Sequence, residues 1–254
     1  MDMTFDDYIQ NPMGRENAVI SNRNMYRDLY KAKLDKILVR ENGKIEYHCY
    51  SIGTKYMCYL KIPSEVVPKF YYDVLIEFSP SKKLVGSGSL KDYNVRFFSN
   101  DPSFVFTFAH AFLKNGLFIN NFSDKMSEKA IKEVAKEKNP KNQVGYVKSL
   151  YFAYLVMQSR GLFSKLKYVD PYSEVMVKRS IMPADKKIRE RQEQGQALSK
   201  KNTTERRKQA KELSDDRNHL EKEIPIVKKA MNTKIGKVGK IASGVKSINK
   251  VKRK

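Results

Sequence analysis

The 254-residue chain has no tryptophan and only two cysteines, Cys49 and Cys58. Two cysteines exclude a disulfide-stapled scaffold and a four-cysteine zinc site, and they point to a reducing compartment. Aromatic rings stop at Tyr172: all 13 phenylalanines and 15 tyrosines lie at or before it. A stretch of 82 residues without Phe, Tyr or Trp has little to bury, so the core must be built from the part before it. Long apolar runs are missing as well. The longest, Leu150 to Met157, has eight residues against the roughly 20 that cross a bilayer. The opening MDMTFDDYIQNPMGRENAV lacks the basic flank and apolar stretch of a secretory signal, so the expectation is a soluble protein made in the cytoplasm.

Negative charge is what the C-terminal region lacks. No Asp or Glu occurs from Pro225 to Lys254, where ten basic residues stand: Lys228, Lys229, Lys234, Lys237, Lys240, Lys246, Lys250, Lys252, Arg253 and Lys254. The formal net charge of the whole chain is +22. Such a chain attracts polyanions at long range, which bears on partners and not on fold. Neutralising phosphates releases counterions without requiring a fixed structure, so a nucleic-acid backbone, contacted without sequence preference, is the favoured partner. An acidic protein surface would satisfy the same charges. If helical, the tail gathers Ile235, Val238, Ala242, Val245 and Ile248 on one side, a loose amphipath interrupted by Lys234 and three glycines. The absence of any ring to anchor it in a bilayer argues against a membrane.

Turn signals organise the aromatic part. Asn42-Gly43 stands between two β-rich runs, where it predicts a type I′ hairpin, and Gly53-Thr54 fits a type II′ turn. Together they predict a three-stranded meander. The second turn places Cys49 opposite Cys58, Tyr47 opposite Leu60 and Ile45 opposite Ile62, all on one core-facing side. The other side would carry His48, Tyr50, Met57, Tyr59 and Lys61, either covered by a second layer or free to stack on single-stranded bases. Phe70 to Phe78 and Tyr93 to Ser99 predict two further strands.

Helical signals follow. Asp101-Pro102 starts and Asn115-Gly116 stops the segment SFVFTFAHAFLKN, read as a buried helix although Phe104, Phe106 and Phe108 alternate like a strand. Ser127 caps a second helix, EKAIKEVAKEKN, ended by Asn139-Pro140, and Glu128 supports Lys132. A third, YVKSLYFAYLVMQSR, ends at Gly161. Beyond Pro183 the chain is helix-prone with little to bury. Ala210, Leu213, Leu220, Ile224, Val227 and Met231 recur by threes and fours, with Arg217 among them, the spacing of a short seam for a partner or for other copies of the chain.

Chemistry-bearing motifs are scarce. GSGS at 86–89 lacks the Gly-Lys-Ser/Thr of a phosphate loop, and the dinucleotide-binding glycine pattern is absent. His48, His110 and His219 have no partners at metal-ligand spacing, so no metal or other cofactor is expected. Asp73, Glu77 and Lys82 invite comparison with a nuclease core, but the Glu-x-Lys step is missing. No catalytic residue emerges.

The stretches MTFDDYIQNPMGRENAVISNR, SLKDYNVRFFSNDPSFVFTFAHAF and AKEKNPKNQVGYVKSLYFAYL resemble uncharacterised proteins encoded by tailed bacteriophages of gut bacteria. The resemblance covers about a third of the chain and brings no catalytic signature. It implies a virion setting near packaged DNA, in the capsid lining, portal or neck. The expectation is therefore an α+β domain over 1–182, built on an antiparallel sheet flanked by three helices, then a polar helical segment over 183–224 and a basic arm over 225–254. Its function would be that of a non-enzymatic virion structural protein contacting DNA or an acidic neighbouring subunit. The alternative is a cytosolic regulator or replication accessory factor that binds nucleic acid through Tyr50, Tyr59 and Lys61.

Overall fold

A computed structural model describes residues 3–10, 30–81, 89–171 and 174–223, with side-chain surroundings in the last helix given as far as Ser214. The fold is α+β: one four-stranded antiparallel sheet with several helices, and a long helix toward the C-terminus. A first unit runs to Gly195 and a second starts at Gln196.

In chain order the elements are α1 (Phe5–Gln10), α2 (helical residues 30–40), β1 (Tyr47–Ile52), β2 (Lys55–Pro63), β3 (Tyr71–Ser79), β4 (Asn94–Ser99), α3 (Ala109–Lys114), α4 (Glu128–Lys132), α5 (Lys148–Ser159), α6 (Glu174–Ser180) and α7 (Ala184–Glu223). The strands lie in the order β1-β2-β3-β4, every neighbour antiparallel. Gly53 has φ 57°, as a type II′ turn requires at its first central position, and the expected register follows, with Cys49 opposite Cys58 and Tyr47 opposite Leu60. The register expected for Ile45 and Ile62 would lie beyond the end of β1, although Lys61 N–H still donates to Glu46 O at 3.0 Å.

The first strand of the expected meander is instead α2. Tyr30, Leu34, Ile37 and Leu38 recur at helical spacing, and Leu34 and Ile37 are buried. Asn42-Gly43 ends this helix: Gly43 N–H donates to Leu38 O (2.7 Å) and Asn42 N–H to Val39 O (3.2 Å), with φ of 68° and 55°. This is a Schellman cap with Asn42 in the left-handed position. A type I′ turn also needs positive φ at both residues, so the dipeptide suits either structure, and the spacing of the apolar residues before it decides. Gly116 (φ 70°) and Gly161 (φ 66°) close α3 and α5 with the same pair of bonds, as expected of those stops.

Both faces of the sheet are covered. On one, Cys58, Leu60, Val74, Ile76, Phe78 and Phe97 pack beneath α1 and α5; Phe5 meets Phe97 at 5.1 Å and Phe78 at 6.4 Å between ring centroids. Six residues make no stable helix alone. The segment α1 is held by a capping box, Thr4 with Asp7 (Asp7 N–H to Thr4 Oγ1, 3.1 Å), and by Phe5 and Tyr8, each worth on the order of 1.5–3 kcal/mol when fully buried. Across the sheet, Phe98 packs on Phe118 and Phe122, and the short 3-10 turn Asn120–Lys125 is tied to α6 by Asn121–Glu174 (2.8 Å) and Lys178–Asp124 (2.9 Å).

Phe104 and Phe108 are buried while Phe106 is half exposed, which settles that segment as helix. After the helical residues 102–103, Phe104–Phe108 is a π-helix that passes into α3. The helix expected from Ser127 to Asn139 is much shorter. Only Glu128–Lys132 is helical and Ser127 makes no capping bond, although the Glu128–Lys132 pair is present at 2.5 Å. None of the five residues is fully buried, and only Ala130 and Ile131 pack against the core; beyond them Asn139 bonds to Thr107 O and Gln143 O instead of continuing the helix.

Candidate functional site

Of the residues expected to contact a polyanion, Lys228, Lys229, Lys234, Lys237, Lys240, Lys246, Lys250, Lys252, Arg253 and Lys254 all lie outside the described residues, as do Ile224, Val227 and Met231 of the seam. Leu220 belongs to α7. Ala210 and Leu213 are exposed, Leu213 by 70%.

Among the described residues α7 offers an exposed cationic surface. Every residue from Ser199 to Ser214 is exposed. Six of these sixteen are basic and two acidic, so the stretch is strongly cationic without any buried face. Lys200, Arg207 and Lys211 follow one another at seven and four residues and share one side of the helix, with Lys201 and Lys208 beside them. At 1.5 Å per residue this row is about 16 Å long. One local pair supports the helix, Lys201 approaching Glu205 at 3.9 Å, while the Thr203 and Thr204 hydroxyls donate back to Ser199 O and Lys200 O.

The sheet face considered for base stacking is not available for it. Tyr50 and Tyr59 are each 1% exposed, Tyr59 donates its hydroxyl to Asp73 Oδ1 at 2.7 Å, and Lys61 is paired with Glu46 at 2.8 Å. A second layer covers those rings. The carboxylates weighed for nuclease chemistry are likewise engaged: Asp73 also accepts from Asn100 Nδ2 (2.6 Å), and Glu77 is paired with Lys55 (3.2 Å) and Arg96 (3.5 Å). Lys82 lies outside the described residues. His48 stacks on Tyr59 and approaches Glu46 and Asp170, while His110 Nδ1 is 2.8 Å from Asn142 Oδ1. Among the described residues no three His, Cys, Asp or Glu side chains are grouped to hold a metal.

One arrangement had no counterpart in the sequence reading. A cavity of about 350 Å³ opens where the end of β2, α2, the start of α5 and the first turns of α7 meet. Lys33, Lys148 and Arg191 line it together with Glu65 and Asp101. Glu65 takes both lysines, Lys33 at 3.0 Å and Lys148 closer still, and the Lys148 hydrogen bond is the chief influence holding its carboxyl below the usual range. Asp101 is buried, which raises its carboxyl, while its Oδ1 accepts from Ser103 N–H at 2.7 Å. Arg191 Nε is buried and finds no acceptor among the described residues. These five residues are scattered from position 33 to 191, and only the tertiary fold brings them together; Asp101 alone was singled out from sequence, as a helix start.

No protein-family model, curated protein or solved structure matches this chain.

Proposed function

We propose that the chain is a non-enzymatic structural protein that attaches to nucleic acid through its phosphate backbone, using the exposed cationic helix α7 and the basic residues that follow it. The observation that carries this reading is the stretch Ser199–Ser214, helical, exposed throughout and bearing six basic side chains. A helix with no apolar stripe is held by local pairs alone, and its like charges oppose one another in the free protein. A polyanion relieves that repulsion and releases counterions as it binds. The compact unit would supply protein contacts. The setting in a tailed-phage particle, with packaged DNA or an acidic neighbouring subunit as partner, rests on the resemblance of its sequence.

The test is binding of the full chain to random duplex DNA across a salt series, beside a variant with Lys200, Lys201, Arg207, Lys208 and Lys211 changed to Gln. Five lost phosphate contacts should flatten the log–log salt slope by about 4 to 5. An unchanged slope would place binding elsewhere, and a marked preference for one sequence would contradict attachment through the backbone.

A further inference from the structure

Around the cavity beside β2 the cationic groups outnumber the acidic ones, three to two. Glu65 is satisfied by Lys33 and Lys148, and Asp101 by Ser103 N–H, so neither carboxylate needs a further cation. Arg191 is different. Its guanidinium meets the Tyr72 side chain on the same wall, while its Nε–H is buried and has no acceptor among the described residues. With both carboxylates satisfied, the guanidinium leaves an excess positive charge on the cavity wall. Tyr30, Tyr146 and Phe152 form the apolar part of the wall, with Tyr30 stacked on Tyr146 at 6.2 Å and edge-on to Phe152 at 6.1 Å. The volume lies at the lower end of the range for small-molecule sites, about 300–1,000 Å³.

We propose that this cavity is a binding site for a small organic oxyanion, a phosphate monoester or carboxylate carrying a ring or short apolar body. The oxyanion accepts from the terminal guanidinium nitrogens of Arg191, not from its buried Nε, and draws on the charge of Lys148, and the body lies against the aromatic wall. The site shares no residue with the cationic stretch Ser199–Ser214, so it stands or falls independently of nucleic-acid attachment.

The experiment is thermal unfolding of the full chain with phenyl phosphate and, separately, benzoate, each matched by sodium chloride at equal ionic strength. A saturable rise in Tm with either probe is expected. Arg191→Gln should weaken apparent affinity by about 10- to 100-fold, the loss typical of a hydrogen bond to a charged group. Val66→Asp gives a second test that leaves the core alone: Val66 lines the cavity yet is 63% exposed, and a carboxylate there should repel the probe at unchanged stability of the free protein. A triple variant, Lys200→Gln with Arg207→Gln and Lys211→Gln, should bind as the parent does. No rise with either probe, a rise reproduced by chloride, one kept in both Arg191→Gln and Val66→Asp, or one lost only in the triple variant would each overturn the proposal.

Discussion

Gly145 stands where the ring of Phe108 leaves room for no side chain: a Cβ at this position would fall 2.3 Å from Phe108 Cε1 and 2.7 Å from Cζ. Phe108 is buried at the end of the π-helical turn, and Gly145 O accepts a hydrogen bond from the buried Tyr8 hydroxyl at 3.0 Å, so neither partner can retreat freely. Gly145→Ala should therefore destabilise the protein by about 1–3 kcal/mol, the range for overpacking. Urea denaturation checks it. A double variant with Phe108→Leu should recover part of the loss, because the two changes share one contact; strict additivity would show that the ring is not the obstacle.

Asp73 is the hub of a second internal constraint. It accepts from Tyr59 and Asn100, while its own N–H donates to Asn100 Oδ1 at 2.8 Å and Asn100 Nδ2 also reaches Met182 O at 3.3 Å. Strand β3 is thereby tied to the segment that leads into α7. Tyr59→Phe keeps the ring and removes one donor to the carboxylate, at an expected cost of about 1.5–3 kcal/mol. If the same substitution leaves stability unchanged, the hydroxyl contributes nothing net, and the packing of the ring alone holds the site.

Local chemistry made much of this fold legible. Gly53-Thr54 defined β1 and β2 and put Cys49 opposite Cys58, because a two-residue turn leaves one register. Asn42-Gly43 misled for an equally local reason, since positive φ serves a hairpin and a helix cap alike, and only the spacing of Leu34 and Ile37 behind it distinguished them. The cavity was not legible at all. Lys33, Glu65, Asp101, Lys148 and Arg191 come from separate elements, and each alone reads as an ordinary surface charge or cap. The cationic character of α7 was plain from composition, whereas its continuous exposure emerged only once the helix was seen.

The Cys49 and Cys58 sulfurs lie 3.5 Å apart as free, buried thiols. Burial is the chief cause that raises the Cys58 thiol well above its ordinary value, and the adjacent Cys49 adds to it. Each unit of rise lowers the thiolate fraction about tenfold near neutral pH, and the thiolate is the reacting species. The folded protein should react with a thiol-specific disulfide reagent at pH 8 at least about tenfold more slowly than the urea-unfolded chain, in which both cysteines should react. Equal rates would mean that the β1–β2 edge opens readily.

Glu65 and Asp101 face one cavity with opposite dependences on pH. The carboxyl of Glu65 is held below its ordinary range by Lys148 first, with Lys33 in support, so its stabilising contribution is present above the unfolded-state value and lost as pH falls through the lower folded value. Asp101 is pushed up by burial, against the opposing hydrogen bonds of Ser103 and Ser149, so the folded state holds its proton more tightly. Its contribution is fully present at lower pH and declines as pH rises from the unfolded value through the raised folded one. Glu65→Gln should therefore lower Tm relative to the parent at pH 7 and do so much less at pH 3. Asp101→Asn, whose amide oxygen can still accept from Ser103 N–H, should compare more favourably with the parent at pH 7 than at pH 3. Thermal unfolding at the two pH values measures both differences, and a shift of the same sign in the two variants would contradict the distinct environments of these carboxylates.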